Sequence, residues 1–246
     1  MEACQWLGGN HVEILSRYND ITTTTPHYFD SNRYARFFER PFLNEEARRF
    51  LFSERHLDER VVRWCRMTSW RDRRGVPWLQ IPYFDRDGRL VGVQNRNLVR
   101  GALPRFRFPQ GSECGIYNLP VLNRLRQGDE LWIAEGCSDC WALLSSGRKA
   151  IAIPSATLLT KKDKVLLQSL TPDPSPVGRG EIKASPRGGL EGVSFHMYPD
   201  RDAPGERLFL QLKEVLPGLV HHQLPEGCKD FGEYYMKTLP LAPPKG

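Results

Sequence analysis

No apolar run in this 246-residue chain approaches the ~20 residues that a membrane-spanning helix requires. No membrane partner is therefore expected. Met1 is followed at once by Glu2, without the basic and hydrophobic regions of a secretory leader. The cytoplasm is the expected compartment. Cysteine is sparse and scattered, at positions 4, 65, 114, 137, 140 and 228, which does not resemble a disulfide framework. Lysine is absent altogether from residues 1–128, which carry 21 arginines against 14 acids. Residues 129–246 hold 14 basic residues against 15 acids, so the net charge of +6 resides in the first half. A basic half beside a near-neutral, carboxylate-bearing half suits a polyanion gripped by one part and processed by the other.

The chain divides along the same line. Residues 1–25 read as a helix tail and linker, with Ala3, Trp6 and Leu7 on one side. From Tyr28 to about Arg66 the apolar spacing is helical, with arginines assigned to the wet face. Asn44 is placed to cap a helix, with Glu45 and Glu46 in its first turn. Strands are expected over Trp78–Phe84 and Leu90–Asn95, joined by a turn at Asp85–Gly88. Asp85 and Asp87 belong to that turn rather than to a metal site. After the hairpin, Arg96, Arg100, Arg105 and Arg107 interleave with Phe106 and Phe108. That pattern suits phosphate contacts with base stacking, or equally an edge strand with one wet face.

From residue 129 short apolar strands alternate with helices, which predicts a parallel sheet flanked by helices. The strands are 131–134, 150–153, 193–198 and 220–223, with helices near 138–146, in LTKKDKVLLQSL and over 204–216. A Pro- and Gly-rich segment at 171–192 interrupts the pattern as a surface insertion expected to be disordered. Residues 239–246 form a tail. The expected fold class is α/β, with this sheet preceded by a smaller α+β subdomain over 26–128 and occupying 129–238.

Carboxylates fall where such sheets carry their sites, at the carboxyl ends of strands. Glu135 follows its strand, and Asp139 lies in the first turn of the next helix. Asp200 and Asp202, two apart in an extended segment, are expected on one face, where they could share a divalent cation. Gly205 gives close packing at the start of the helix that follows. Asp230, beside Lys229, completes the cluster or caps a helix. Cys137 and Cys140 form a lone C-x-x-C without a second pair nearby. His221 and His222 read as structural.

Glu135-Gly136 with Asp139, and Asp200-Arg201-Asp202 with Gly205, resemble the two signature motifs of the TOPRIM domain. IPYFDRDGRLVGVQNRNL, with Gly92 to Arg96, is similar to the segment ahead of that domain in bacterial-type, DnaG-like primases. Ile116–Leu119 resembles the lead into the domain, and LPEGCKDFGEYY its acidic closing motif, with Asp230 matching and Gly232 where a second acid is common. The likeness spans roughly residues 28–238. It implies a primase catalytic core that copies single-stranded DNA into short RNA primers from nucleoside triphosphates with Mg²⁺ or Mn²⁺. Glu135, Asp200 and Asp202 would hold metal, supported by Asp139 and Asp230. Arg96 with Arg105 or Arg107 would grip template or triphosphate, and Arg100 and Lys229 add to that surface. The family's zinc-binding module is not in the chain, so no zinc is expected. A replicative helicase or a separate zinc-binding module is the expected partner. Two other readings stand beside it: a TOPRIM nuclease or topoisomerase-like strand-cleaving protein, and a non-catalytic single-strand-binding remnant of a mobile element. The intact acids weigh against a remnant, since decay has no reason to spare them.

Overall fold

The computed structural model describes residues 28–154, 159–171 and 192–239. The expected helix tail at the start, the closing tail, and the 171–192 insertion apart from its two end residues lie outside them. Among the described residues no helix is long and apolar enough to cross a membrane.

The first half begins with α1 (Ser31–Glu39), capped by Asp30 through the Arg33 N–H. Asn44 then caps α2 (Glu45–Arg48), its Oδ1 accepting from the Ala47 N–H at 2.9 Å. This helix does not end cleanly: Arg49–Glu54 continues as a π-helix. Asp58 caps α3 (Glu59–Trp64). An antiparallel sheet follows, in the order β1 (Thr68–Arg71), β2 (Pro77–Phe84), β3 (Leu90–Asn97) and β4 (Phe106–Arg107). The β2–β3 hairpin forms where the sequence places it, its turn closed by the Asp85 N–H donating to the Arg89 carbonyl at 2.9 Å. Along β2, Leu79, Ile81 and Tyr83 are buried in the core shared with the second half. Pairing of Leu79 with Arg96 and of Ile81 with Gln94 puts Arg96 and Gln94 on that same face.

A 3₁₀ turn, Leu119–Arg124, leads into the second half. Its sheet is wholly parallel, in the order β6 (Lys149–Ile153), β5 (Glu130–Glu135), β7 (Ser194–Met197) and β8 (Val220–His221). The intervening helices are α4 (Cys137–Ser145), α5 (Lys161–Gln168) and α6 (Ala203–Val215), with α7 (Phe231–Thr238) at the end. Period-2 alternation divides this sheet into two cores. Leu131, Ile133, Ile151, Ile153, Phe195 and Met197 pack with α5 and α6, whose Leu167, Leu208 and Leu212 are fully buried. Trp132, Ala134, Ala150 and Ala152 face the other way, toward α4, α7 and the antiparallel sheet.

Tyr117 joins the two halves. Its backbone exchanges hydrogen bonds with Ala152, its ring meets Tyr83 edge-on at 5.2 Å, and its hydroxyl accepts from Trp141 Nε1 at 3.1 Å. Tyr117→Phe would leave that buried indole N–H unsatisfied, at a cost of about 1–3 kcal/mol. A melting temperature lower by several degrees, read by calorimetry, is the expected result.

Candidate active site

β5 ends on Glu135, which belongs to the strand rather than following it. Its Oε2 is buried and has no hydrogen-bond partner among the described residues. One turn into α4, Asp139 is buried and accepts from the Gly232 N–H at 2.7 Å. That contact accounts for the glycine in the closing motif: a Cβ at 232 would stand 3.0 Å from Asp139 Oδ1 and 3.3 Å from Asp230 Oδ1. Asp230 caps α7 through the Glu233 N–H at 2.8 Å, so it both borders the cluster and starts a helix.

The expected strand-face pairing of Asp200 and Asp202 is not found. β7 stops at Met197, and Pro199, which has no N–H to donate, precedes the two acids. The chain turns instead, with the Asp202 N–H bonded to the Asp200 carbonyl at 2.7 Å. Asp202 caps α6 by accepting from the Gly205 N–H at 2.9 Å. Gly205 is needed by this turn rather than by packing on the sheet, because a Cβ there would lie 2.4 Å from the Asp200 carbonyl oxygen.

Crowded carboxylates show in their acidities. Asp200 is pushed up to about 8, by burial first and then by the charges of Asp139, Glu135, Asp230 and Asp202. Asp139 is pushed up to about 7 by burial and Asp230, against the pull of the Gly232 N–H and Arg55. Glu135 is raised by burial and by Asp202, with Lys229 opposing. A carboxyl whose folded acidity constant is raised favours the folded state while protonated and loses that contribution as pH climbs through it. The metal-free protein should therefore lose stability progressively from about pH 4, where these carboxyls begin to ionise in the unfolded chain, to about pH 8, where Asp200 has ionised in the folded one. Asp200→Asn should flatten that loss; melting curves of both proteins across the range provide the check, and parallel profiles would refute the linkage.

A cleft of about 260 Å³ runs between the two halves. Glu135, Asp139 and Asp230 form one wall, and Arg55, Gln94, Arg96 and Arg105 another. Arg96 is wedged between Phe50 and Phe106, 4.6 and 5.6 Å from their ring centres. Burial, with Arg105 and Arg55 nearby, lowers its acidity constant to about 10, which leaves it charged at neutral pH. Arg55 was hidden in the sequence: helical periodicity puts it on the wet face of a helix, but the π-helix shifts the phase and turns it into the cleft. Lys229 contributes its charge beside Glu135. Arg100 and Arg107 are not among the cleft residues. Arg100 is exposed in the loop after β3, and Arg107 lies 4.4 Å over Trp78 and 3.6 Å from Asp72.

The other expectations resolve simply. Cys137 and Cys140 are buried free thiols; burial pushes Cys137 up to about 12, and its Sγ rests 3.1 Å from the Tyr83 hydroxyl. Neutral buried thiols are inert. His222 packs tilted against Trp132, ring centres 4.7 Å apart, and His221 meets Phe209 edge-on.

Among the described residues no three His, Cys, Asp or Glu side chains are arranged to hold a metal ion. The donors nevertheless match a hard divalent cation: all are oxygens, one buried oxygen of Glu135 has no hydrogen-bond partner among the described residues, and four neighbouring acids disfavour the charged form of Asp200.

No family model matches the sequence, and no curated protein does. Solved structures do. The RNA polymerase domain of Mycobacterium tuberculosis primase DnaG is similar over 85% of this chain and 78% of its own, with TM-score 0.58 and 17% identity. The primase fragment of the bacteriophage T7 primase-helicase covers 75% and 68%, with TM-score 0.56 and 14% identity. A DnaG primase catalytic domain bound to single-stranded DNA covers 85% and 74%, with TM-score 0.54 and 16% identity. A parallel sheet flanked by helices, an antiparallel sheet ahead of it and this likeness together give the chain the fold of a DnaG-like primase catalytic core.

Proposed function

We propose that this chain is a primase-type nucleotidyltransferase core, built on a TOPRIM domain, that joins ribonucleotides on a single-stranded DNA template. The observation that carries the reading is the single cleft in which Glu135, Asp139 and Asp230 face Arg55, Arg96 and Arg105. Phosphoryl transfer asks for this opposition: cations to hold a triphosphate, and carboxylates that would hold a divalent metal beside it. Glu135, Asp200 and Asp202 would hold Mg²⁺ or Mn²⁺, with Asp139 and Asp230 in support. A divalent ion held there would supply charge neutralisation to the triphosphate.

The protein's own groups do the positioning. Arg96, locked between two rings, presents a fixed guanidinium to the phosphates, and Arg55 and Arg105 flank it. Partial burial of Arg55 and Arg96 strengthens their contacts relative to water. Lys229 offsets part of the charge at Glu135. Arg100 and Arg107, outside the cleft, are left for the template backbone; the likeness to a catalytic domain bound to single-stranded DNA supports that partner. A replicative helicase or a separate zinc-binding module would bring the core to its template.

The test compares the wild type with the double variant Asp200→Asn, Asp202→Asn on single-stranded DNA with ribonucleotides and Mg²⁺ or Mn²⁺, with and without a zinc-binding module added in trans. Primer synthesis lost in the variant is the expected result. Cleavage without synthesis would make the chain a TOPRIM nuclease. Salt-sensitive binding shared by both proteins, with no product under any condition, would leave a binding remnant.

A further inference from the structure

A second cavity, of about 330 Å³, lies between α3, the hairpin and the 3₁₀ turn. It is distinct from the acidic cleft: Ile81 and Tyr83 of β2 line the cleft, whereas Pro82 and Phe84 line this pocket. Alternation along a strand sends those two sets to opposite faces. Arg63, Trp64, Arg66 and Asn118 complete the wall.

The pocket is rigidly made. Trp64 is 39% exposed, yet its Nε1 donates to Asn118 Oδ1 at 2.9 Å, and Asn118 Nδ2 donates in turn to the Ala150 carbonyl at 2.8 Å. The hairpin is tied to the 3₁₀ turn by two hydrogen bonds between Arg86 and Asn123, at 3.1 and 2.6 Å. Two residues of the wall, Arg66 at φ 49° and Asn118 at φ 63°, occupy the left-handed region. Asparagine tolerates that conformation, but for arginine it is a cost that glycine would avoid. What the arginine supplies there is a guanidinium 5.4 Å from the centre of the Phe84 ring. A second, that of Arg124, lies 5.7 Å from the Trp64 ring. Among the described residues neither makes an ion pair with a carboxylate, whereas Arg63 pairs with Glu59 at 3.6 Å.

We propose that this pocket is a second nucleotide-binding site, taking one nucleoside phosphate with its base against Trp64 and Phe84 and its phosphate on Arg66. The chemistry is specific to that class: an exposed indole and a phenyl ring favour a flat π-system, and an unpaired guanidinium favours a phosphate. The volume sits at the small end of ligand pockets, about 300–1,000 Å³, which fits one nucleotide rather than a run of them. The site does not depend on the polymerase reading, because it shares no lining residue with the acidic cleft.

Calorimetric titration of the full chain with AMP, adenosine and inorganic phosphate, without added metal, tests it. AMP should bind saturably and more tightly than either part alone. Arg66→Gly should weaken AMP at least tenfold while melting no lower than wild type, since glycine accepts the left-handed backbone. Asp200→Asn should leave AMP binding unchanged. Displacement of AMP by a 5′-phosphorylated oligonucleotide would assign the site to a strand end, and its absence to free nucleotide. Equal AMP affinity in Arg66→Gly, loss of binding in Asp200→Asn, or affinity fully accounted for by inorganic phosphate would each overturn the proposal.

Discussion

Glu135→Gln is expected to lower primer synthesis by about 10²–10⁴-fold, the range over which a charged group at a reacting centre acts. The substitution keeps the shape of the side chain and removes only its charge. Because Oε2 is buried without a partner among the described residues, and burial and Asp202 already disfavour the ionised form, the variant should melt at or above the wild-type temperature. Lost synthesis in a protein that is no less stable separates a chemical role from a structural one. Incorporation of labelled ribonucleotide, measured beside thermal melting, reads both. Synthesis within about threefold of wild type would remove Glu135 from the site.

Gly205→Ala should be nearly as damaging by a different route. The added methyl would stand 2.4 Å from the Asp200 carbonyl oxygen and 2.8 Å from its nitrogen, both backbone atoms that cannot rotate away. Either the turn carrying Asp200 and Asp202 moves or the first turn of α6 unwinds, at a cost of about 1–3 kcal/mol. A displacement near 1 Å in a metal-binding carboxylate costs on the order of a hundredfold in rate. The melting temperature should fall along with synthesis, in contrast to Glu135→Gln. An Ala variant with wild-type activity would show that the turn is not a rigid part of the site.

These two positions also show where reading the sequence succeeds and where it stops. The hairpin, the Asn44 cap and the alternation of strands and helices after residue 129 were all legible, because each rests on local chemistry or on a period that neighbouring residues reinforce. Glu135 and Asp139 were legible because an apolar strand delivers them. The turn at Asp200 was not: the apolar pattern of 193–198 runs directly into the acids, and only the missing N–H of Pro199 hints that pairing ends. Arg55 was not legible at all. A π-helix leaves no periodic trace in six residues, and a phase error of one residue moves an arginine from solvent to the cleft. Likewise, the two-residue β4 separates Arg107, over Trp78, from Arg105 in the cleft, although the sequence presents them as one basic stripe.

The five acids of the cluster differ in what their loss would do to the fold, and that bears on how much their presence says about activity. Asp202 and Asp230 each start a helix, and capping of that kind stabilises a protein by about 1 kcal/mol per helix. Drift in a chain freed from selection on its chemistry would still tend to keep them, so decay does have a reason to spare these two. Glu135 and Asp200 have the opposite balance. Neither caps a helix, one holds a buried oxygen with no hydrogen-bond partner among the described residues, and burial and neighbouring acids disfavour the charged form of both. A chain under selection for stability alone would shed those two first. They are therefore the pair whose identity in related sequences distinguishes a working enzyme from an inherited scaffold.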